Sequence, residues 1–266
     1  MRTSLIAIGG LIAVALAAAP AAAKQRADKV EWTIGQDRFS GVLVYDDEGG
    51  KRPGLVMVPN WMGVTEAAVE NAKRIAGDDY VVLVADVYGS DNRPTGPAEA
   101  GKIAGALRDD PALLRQRALK AMEVLRARAG QAPVDPAKIG ALGFCFGGTT
   151  VLEMARSGAD LAGVVSLHGG LGTPMPVAAG TTVKAPVLVL NGAADKAVSN
   201  ADIVGFAAEM DAAGADWQFV NFSGAVHCFA EAGAGNDPAS NCRYDERAAR
   251  RAYRMLGNFF EERFGG

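Results

Sequence analysis

Short, continuously apolar runs alternate along the chain with longer segments whose apolar residues recur at helical spacing. Gly54 to Val58 and Tyr80 to Val84 are runs of the kind expected of strands buried on both faces, and Ala162 to Leu167 and Ala185 to Leu190 repeat the pattern. Lys138 to Phe144 predicts a strand that runs into a glycine-rich turn. Val30 to Ile34 and Phe39 to Tyr45 predict two strands around the turn-forming Gly35, and Asp216 to Phe222 a further strand carried by Trp217, Phe219 and Val220. Between them, Thr65 to Gly77 has helical spacing, with Ala68, Val69, Ala72 and Ile75 on one face. Pro97 to Leu107 and Pro111 to Ala127 are helical, the second with proline at its first position. Thr149 to Ser157 and Ser199 to Ala213 follow, the latter ending at Gly214. Tyr244 to Phe264 closes the chain as a long helix with Arg and Glu on its wet face. Strands alternating with helices predict an α/β domain with a mostly parallel sheet and helices on both faces, and a ligand site at the carboxyl ends of the strands.

The first residues stand apart from this pattern. Met1-Arg2-Thr3-Ser4 precedes an almost purely aliphatic run from Leu5 to Ala19; Pro20 breaks it, and Ala21-Ala22-Ala23 offers a small-x-small cleavage pattern. That order is the order of a signal peptide, so residues 1–23 are expected to be removed and 24–266 to form a single domain, periplasmic or secreted. A membrane anchor is the alternative, but the apolar run is shorter than the roughly 20 residues a spanning helix needs. No stable membrane anchor is expected.

Composition narrows the function classes. The 266 residues are 49% hydrophobic and 21% charged, with a net charge of −3. A disordered chain, a collagen and a polytopic membrane protein are excluded. No excess of Lys and Arg exists to neutralise phosphates, so no nucleic-acid partner is expected. Three cysteines are too few for a disulfide scaffold and lack CxxC spacing. Neither a metal-ligand cluster nor a cofactor-binding motif is evident, and Gly143 to Gly148 lacks the Lys-Ser/Thr of a phosphate-binding loop.

Candidate chemistry centres on Gly143-Phe144-Cys145-Phe146-Gly147, which has the form G-x-nucleophile-x-G where a predicted strand meets a predicted helix. Such a turn is too tight for side chains two residues either side of the nucleophile, hence the glycines. It lifts the Cys145 sulfur above the sheet and aims the Phe146 N–H at the place where an oxyanion forms. A buried, inert cysteine is the alternative for an isolated Cys. A thiol needs a base and the base an orienter. Only two histidines are present. His227 follows an apolar strand near the C-terminus, as the order nucleophile, acid, His requires. His168, in Leu167-His168-Gly169-Gly170, reads as a structural or pocket-wall residue. Asp195 follows a late strand and supplies the acid, whereas Asp202 lies inside a predicted helix and reads as solvated. Inventory and order together select Cys145, Asp195 and His227.

These segments, with Asn191-Gly192-Ala193-Ala194-Asp195 and Gly224-Ala225-Val226-His227-Cys228-Phe229, resemble the dienelactone hydrolase family. Pro59-Asn60-Trp61-Met62-Gly63-Val64 and Asp86-Val87-Tyr88 extend the similarity from about Val42 to the C-terminal helix. The resemblance implies an α/β-hydrolase fold, a Cys-Asp-His triad and a small ester or lactone substrate cleaved through an acyl-enzyme thioester. It places the second oxyanion donor at the backbone N–H of Trp61, beside that of Phe146, and substrate contacts at Asn60, Tyr88, Phe229 and Glu231. Two departures bear on substrate. Asn60 stands where dienelactone-opening members carry a glutamate that takes part in forming the thiolate, so a resting thiol reactive without a substrate-driven switch is expected. Ser90 and Glu231 stand where carboxylate-binding arginines are expected; Arg93 is near enough in sequence to substitute. An acid at Glu231 disfavours an anionic substrate unless it is paired. The resemblance therefore implies a neutral or cationic substrate.

Cys228 and Cys242 are left over and form a disulfide candidate in an exported protein; two free thiols are the alternative. Rival functions are a catalytically silent small-molecule binding protein on the same fold and a thiol-redox protein, the latter disfavoured by the absence of CxxC. Oligomeric state is not encoded in any of these motifs.

Overall fold

The computed structural model describes residues 25–265. The segment 1–23, read above as a signal peptide, lies outside the described residues.

Among the described residues, eight strands form one sheet. In chain order they are β1 (Gln25–Ile34), β2 (Asp37–Asp46), β3 (Arg52–Val58), β4 (Val81–Val84), β5 (Val134–Phe144), β6 (Val164–Leu167), β7 (Val187–Gly192) and β8 (Trp217–Phe222). Their order across the sheet is β1-β2-β4-β3-β5-β6-β7-β8. β1 and β2 pair antiparallel through the turn at Gly35, and β2 pairs antiparallel with β4. All remaining pairs are parallel. The mostly parallel sheet expected from the alternating pattern is thus found, with an antiparallel margin built from the two N-terminal strands.

Six α-helices among the described residues cover it: α1 (Glu66–Ala76), α2 (Pro97–Asp109), α3 (Pro111–Arg126), α4 (Phe146–Arg156), α5 (Asn200–Ala212) and α6 (Glu246–Phe264). Because side chains alternate along a strand, β3 sends Leu55 and Met57 to one face and Val56 and Val58 to the other. The first pair packs with Ala72 and Ile75 of α1 and with Phe259 and Phe260 of α6. The second packs with Leu107 of α2, Leu114 of α3, Val151 of α4 and Phe206 of α5. This two-sided burial explains why the strands read as continuous apolar runs.

Helix starts follow local capping chemistry. Thr65 caps α1 by accepting from the Ala68 N–H, Asp110 caps α3 through the Leu113 N–H, and Asp245 caps α6 through the Ala248 N–H. Ser199 and Asp202 form a reciprocal capping box on α5, so Asp202 closes a helix end instead of standing free in solvent. One boundary departs from expectation. α4 begins at Phe146 and not at Thr149. Gly147 and Gly148 are poor helix formers and push a propensity reading later, yet close packing requires glycine there: a Cβ on Gly147 would lie 1.9 Å from the Val58 carbonyl oxygen.

Candidate active site

β5 ends at Phe144 and α4 starts at Phe146, leaving Cys145 alone at the turn with φ 53°. A Cβ on Gly143 would lie 2.1 Å from the Gly147 carbonyl oxygen, so both flanking glycines are demanded sterically. Phe146 is the first residue of α4 and its N–H has no intrahelical carbonyl to bind. Among the described residues, the amides of Phe146 and Trp61 donate to no other protein group. Tyr88, itself buried, donates its hydroxyl to the Trp61 carbonyl at 2.9 Å and so fixes the peptide that precedes Met62.

Three side chains meet in a row at the carboxyl end of the sheet. His227 places Nε2 3.0 Å from the Cys145 sulfur and Nδ1 2.7 Å from Asp195 Oδ2. An ionised carboxylate only accepts, so Nδ1 carries its proton toward Asp195 and leaves Nε2 to take the thiol proton. Burial opposes a charged His227, but the bonds to Asp195 and Cys145 outweigh it and push the imidazole up to about 10. Burial likewise works to raise Asp195; hydrogen bonds from His227, the Ala197 N–H and Asn241 prevail and hold its carboxyl below the ordinary range.

Cys145 lines a groove of about 510 Å³ that is also lined by Asn60, Trp61, Glu231 and the disulfide-bonded Cys228 and Cys242. Trp61 is partly exposed at its rim. Asn60 accepts the Met62 N–H on Oδ1 (3.0 Å) and donates from Nδ2 to Glu231 Oε2. Burial raises the Glu231 carboxyl, with Asn60 and His227 acting in the other direction. Tyr88 and Phe229, expected as substrate contacts, do not line the groove: Tyr88 is committed to Trp61, and Phe229 is fully buried against Phe222 and His168. Arg93 turns away to Asp86 and the Ser40 carbonyl. A larger surface groove, about 690 Å³, runs between α1 and α6 around Tyr253 and Glu261, but neither a thiol nor an imidazole lines it. Among the described residues no group of three His, Cys, Asp or Glu side chains is placed to hold a metal, and no helix is long and apolar enough to cross a membrane.

Cys228 and Cys242 are joined in a disulfide, and Cys145 is the free thiol. The bridge ties the residue after His227 to the residue after Asn241, and Asn241 donates to Asp195 Oδ1 at 3.1 Å. Three described non-glycine residues have positive φ: Cys145, His168 at 42° and Cys228 at 60°. All three lie around the row, where backbone strain of this kind tends to gather.

Two contacts escaped sequence reasoning. His168 is fully buried and accepts the Cys145 N–H on Nδ1 at 3.1 Å. The strand order held a signal, since His168 directly follows β6, the neighbour of β5. Asn241 sits 46 residues from Asp195 in an irregular loop, and no periodicity marks it.

The arrangement has relatives. A protein named m3DLH matches with a TM-score of 0.82 and 34% identity over 90% of this chain and 98% of its own. A dienelactone hydrolase-like promiscuous phosphotriesterase from metagenomic libraries matches with a TM-score of 0.82 and 35% identity, covering 91% of this chain and 99% of that one. The protein usf of Aquifex pyrophilus is 25% identical over 241 residues, 88% of this chain and 97% of its own length. The α/β-hydrolase architecture expected from the motifs is the architecture these structures share. A model of the dienelactone hydrolase family matches residues 39–264. The chain belongs to the dienelactone hydrolase family, hydrolases acting on ester or lactone bonds.

Proposed function

We propose that the chain is an exported hydrolase that cleaves a small ester or lactone with a Cys145-His227-Asp195 triad through an acyl-enzyme thioester. The observation that carries this reading is the continuous row from Asp195 Oδ2 through His227 to the sulfur of Cys145, at 2.7 and 3.0 Å, on a strand-to-helix turn. His227 Nε2 takes the thiol proton, and the sulfur attacks the carbonyl carbon. The N–H groups of Trp61 and Phe146 hold the resulting oxyanion. Collapse expels the alcohol, which leaves with the proton from the imidazolium. Water, deprotonated by His227, then attacks the thioester, and the acid and the free thiol are released.

Export rests on the pattern of residues 1–23, and the Cys228–Cys242 disulfide fits the oxidising compartment it implies. Residues 24–266 then form the single mature domain. Glu231 at the groove, with no Lys or Arg ion pair among the described residues, favours a neutral or cationic substrate.

A panel of p-nitrophenyl esters and lactones tests the reading, with a phosphotriester added because one relative is described as a promiscuous phosphotriesterase. The wild type turns over ester or lactone. Cys145→Ala and His227→Ala each lose at least about 10³-fold while remaining folded. Brief acylation adds the acyl mass to Cys145. Full activity in folded Cys145→Ala sinks the mechanism and leaves a binding protein on the same fold.

A further inference from the structure

His168 is a buried imidazole that the chemistry above does not use. Its Nδ1 accepts the N–H of Cys145, which is shared with the Leu167 carbonyl at 3.0 Å. An imidazole that accepts on Nδ1 carries its one proton on Nε2. That Nε2 is buried, finds no hydrogen-bond partner and lies 3.8 Å from Glu231 Oε1. The other oxygen of Glu231 accepts from Asn60 Nδ2, and Asn60 Oδ1 accepts the Met62 N–H. The row therefore starts on the amide of the nucleophile, crosses from His168 to Glu231 by packing contact at 3.8 Å and not by a hydrogen bond, and ends on the loop that carries Trp61. Those are the two segments that supply the oxyanion donors, Phe146 N–H on one side and Trp61 N–H on the other.

We propose that His168 is a positioning residue which, through Glu231 and Asn60, sets the separation of the two oxyanion donors. The proposal rests on the Cys145 mechanism and assigns within it a residue that touches neither substrate nor thiol. The surroundings suit the role. His168 is fully buried and packed against Phe144, Phe229 and the edge of His227, with ring centroids 6.0, 5.3 and 5.2 Å away. Its backbone is held in the left-handed region, its N–H bound to the Leu190 carbonyl at 2.8 Å. Burial and the neighbouring His227 push it down to about 3, so it stays neutral while His227 becomes an imidazolium. A charged His168 would spoil that exchange.

The role separates experimentally from effects on the thiol, because alkylation by iodoacetamide uses the Cys145 sulfur but forms no oxyanion. In His168→Phe, kcat/KM for a p-nitrophenyl ester falls about ten- to hundredfold, short of the 10²–10³ that follows removal of a donor itself. The alkylation rate of Cys145 at pH 7, read by intact mass, stays near the wild-type value. His168→Asn restores a large part of the ester rate, since its Oδ1 can still accept the Cys145 N–H and asparagine tolerates positive φ. Glu231→Leu cuts the row at its middle link and gives the same split, and it serves if His168→Phe does not fold. An unchanged ester rate in folded variants overturns the proposal, as does a parallel fall in alkylation, which places His168 on the thiol or on the fold. Failure of the underlying mechanism looks different: there, Cys145→Ala retains the ester activity of the wild type.

Discussion

Asn241 donates from Nδ2 to Oδ1 of Asp195 across 3.1 Å, and accepts the Lys196 N–H on its own Oδ1 at 3.1 Å. The next residue, Cys242, is bonded to Cys228, and His227 and Cys242 form an isolated parallel bridge. The disulfide thereby fastens the loop that contacts Asp195 to the residue that follows His227.

Removing the bridge should accordingly do two things. The half-cystines are 14 residues apart, and closing a loop of that length stabilises the fold by about 3 kcal/mol in the chain-entropy model. Cys228→Ala/Cys242→Ala is expected to lose about that much in urea unfolding. Asn241 is one of the groups that hold Asp195 below its ordinary range, so a loosened loop lets the carboxyl rise. The acid limb of kcat/KM is expected to move to higher pH in the double variant and in Asn241→Leu. A lower stability with an unmoved acid limb would make the bridge a staple alone.

The turn that carries Cys145 tolerates no side chain at its flanks. Gly147→Ala places a Cβ 1.9 Å from the Val58 carbonyl oxygen, and backbone cannot yield as a flexible side chain can. The variant is expected to express poorly or, where soluble, to lose ester hydrolysis by at least about 10²-fold, the scale of losing an oxyanion donor. Gly158→Ala is the contrast, because nothing lies within 4 Å of a Cβ there and its cost is that of its φ of 74° alone. Soluble Gly147→Ala with wild-type rates would refute the steric account.

The resting thiol already faces an imidazole. His227 Nε2 stands 3.0 Å from the sulfur, and position 60 holds an amide whose donor is engaged by Glu231. No carboxylate at position 60 has to move before the sulfur gives up its proton. Iodoacetamide at pH 7 is therefore expected to label Cys145 faster than free cysteine, and His227→Ala to abolish the advantage. Labelling at the free-thiol rate in the wild type would show that the row does not activate the sulfur at rest.

Much of this was legible in the residues. Continuous apolar runs such as Leu55 to Val58 announced a two-sided sheet, and glycine spacing around Cys145 announced the turn. With two histidines in the chain, order along the sequence pointed to His227, whose ring lies beside Cys145 in the fold. What stayed hidden depends on contacts between distant segments. Arg156 and Glu153 are one helical turn apart on α4 and both nearly inaccessible; their partners Arg115 and Glu209 come from α3 and α5. Helical spacing alone marks such a pair as solvated, because only the covering helices remove the water. His168 and Asn241 were hidden for the same reason: each acts on a residue that the fold, and not the sequence, makes its neighbour.

The two histidines also set opposite limits on stability with pH. His227 is raised to about 10 in the fold. Its contribution is fully present below its unfolded value of about 6.5 and is lost as pH rises through the folded value. His168 is lowered to about 3, so its contribution is present above the unfolded value and is lost as pH falls from there, at most about 1.4 kcal/mol per pH unit. Asp195, held low, adds to the loss once pH drops below the ordinary carboxylate range, whereas Glu231, raised by burial, contributes most at low pH and opposes the His168 trend. Thermal unfolding is expected to show its highest Tm near neutrality, with an acid limb that His168→Phe flattens. Alkylating Cys145 removes the sulfur as a partner of His227, so the imidazole should fall back and the alkaline limb should shift to lower pH. NMR titration of the two imidazoles follows both effects directly. A His227 that titrates near 6.5 in the unmodified protein, with no change on alkylation, would mean that the sulfur and the imidazole do not form a coupled pair.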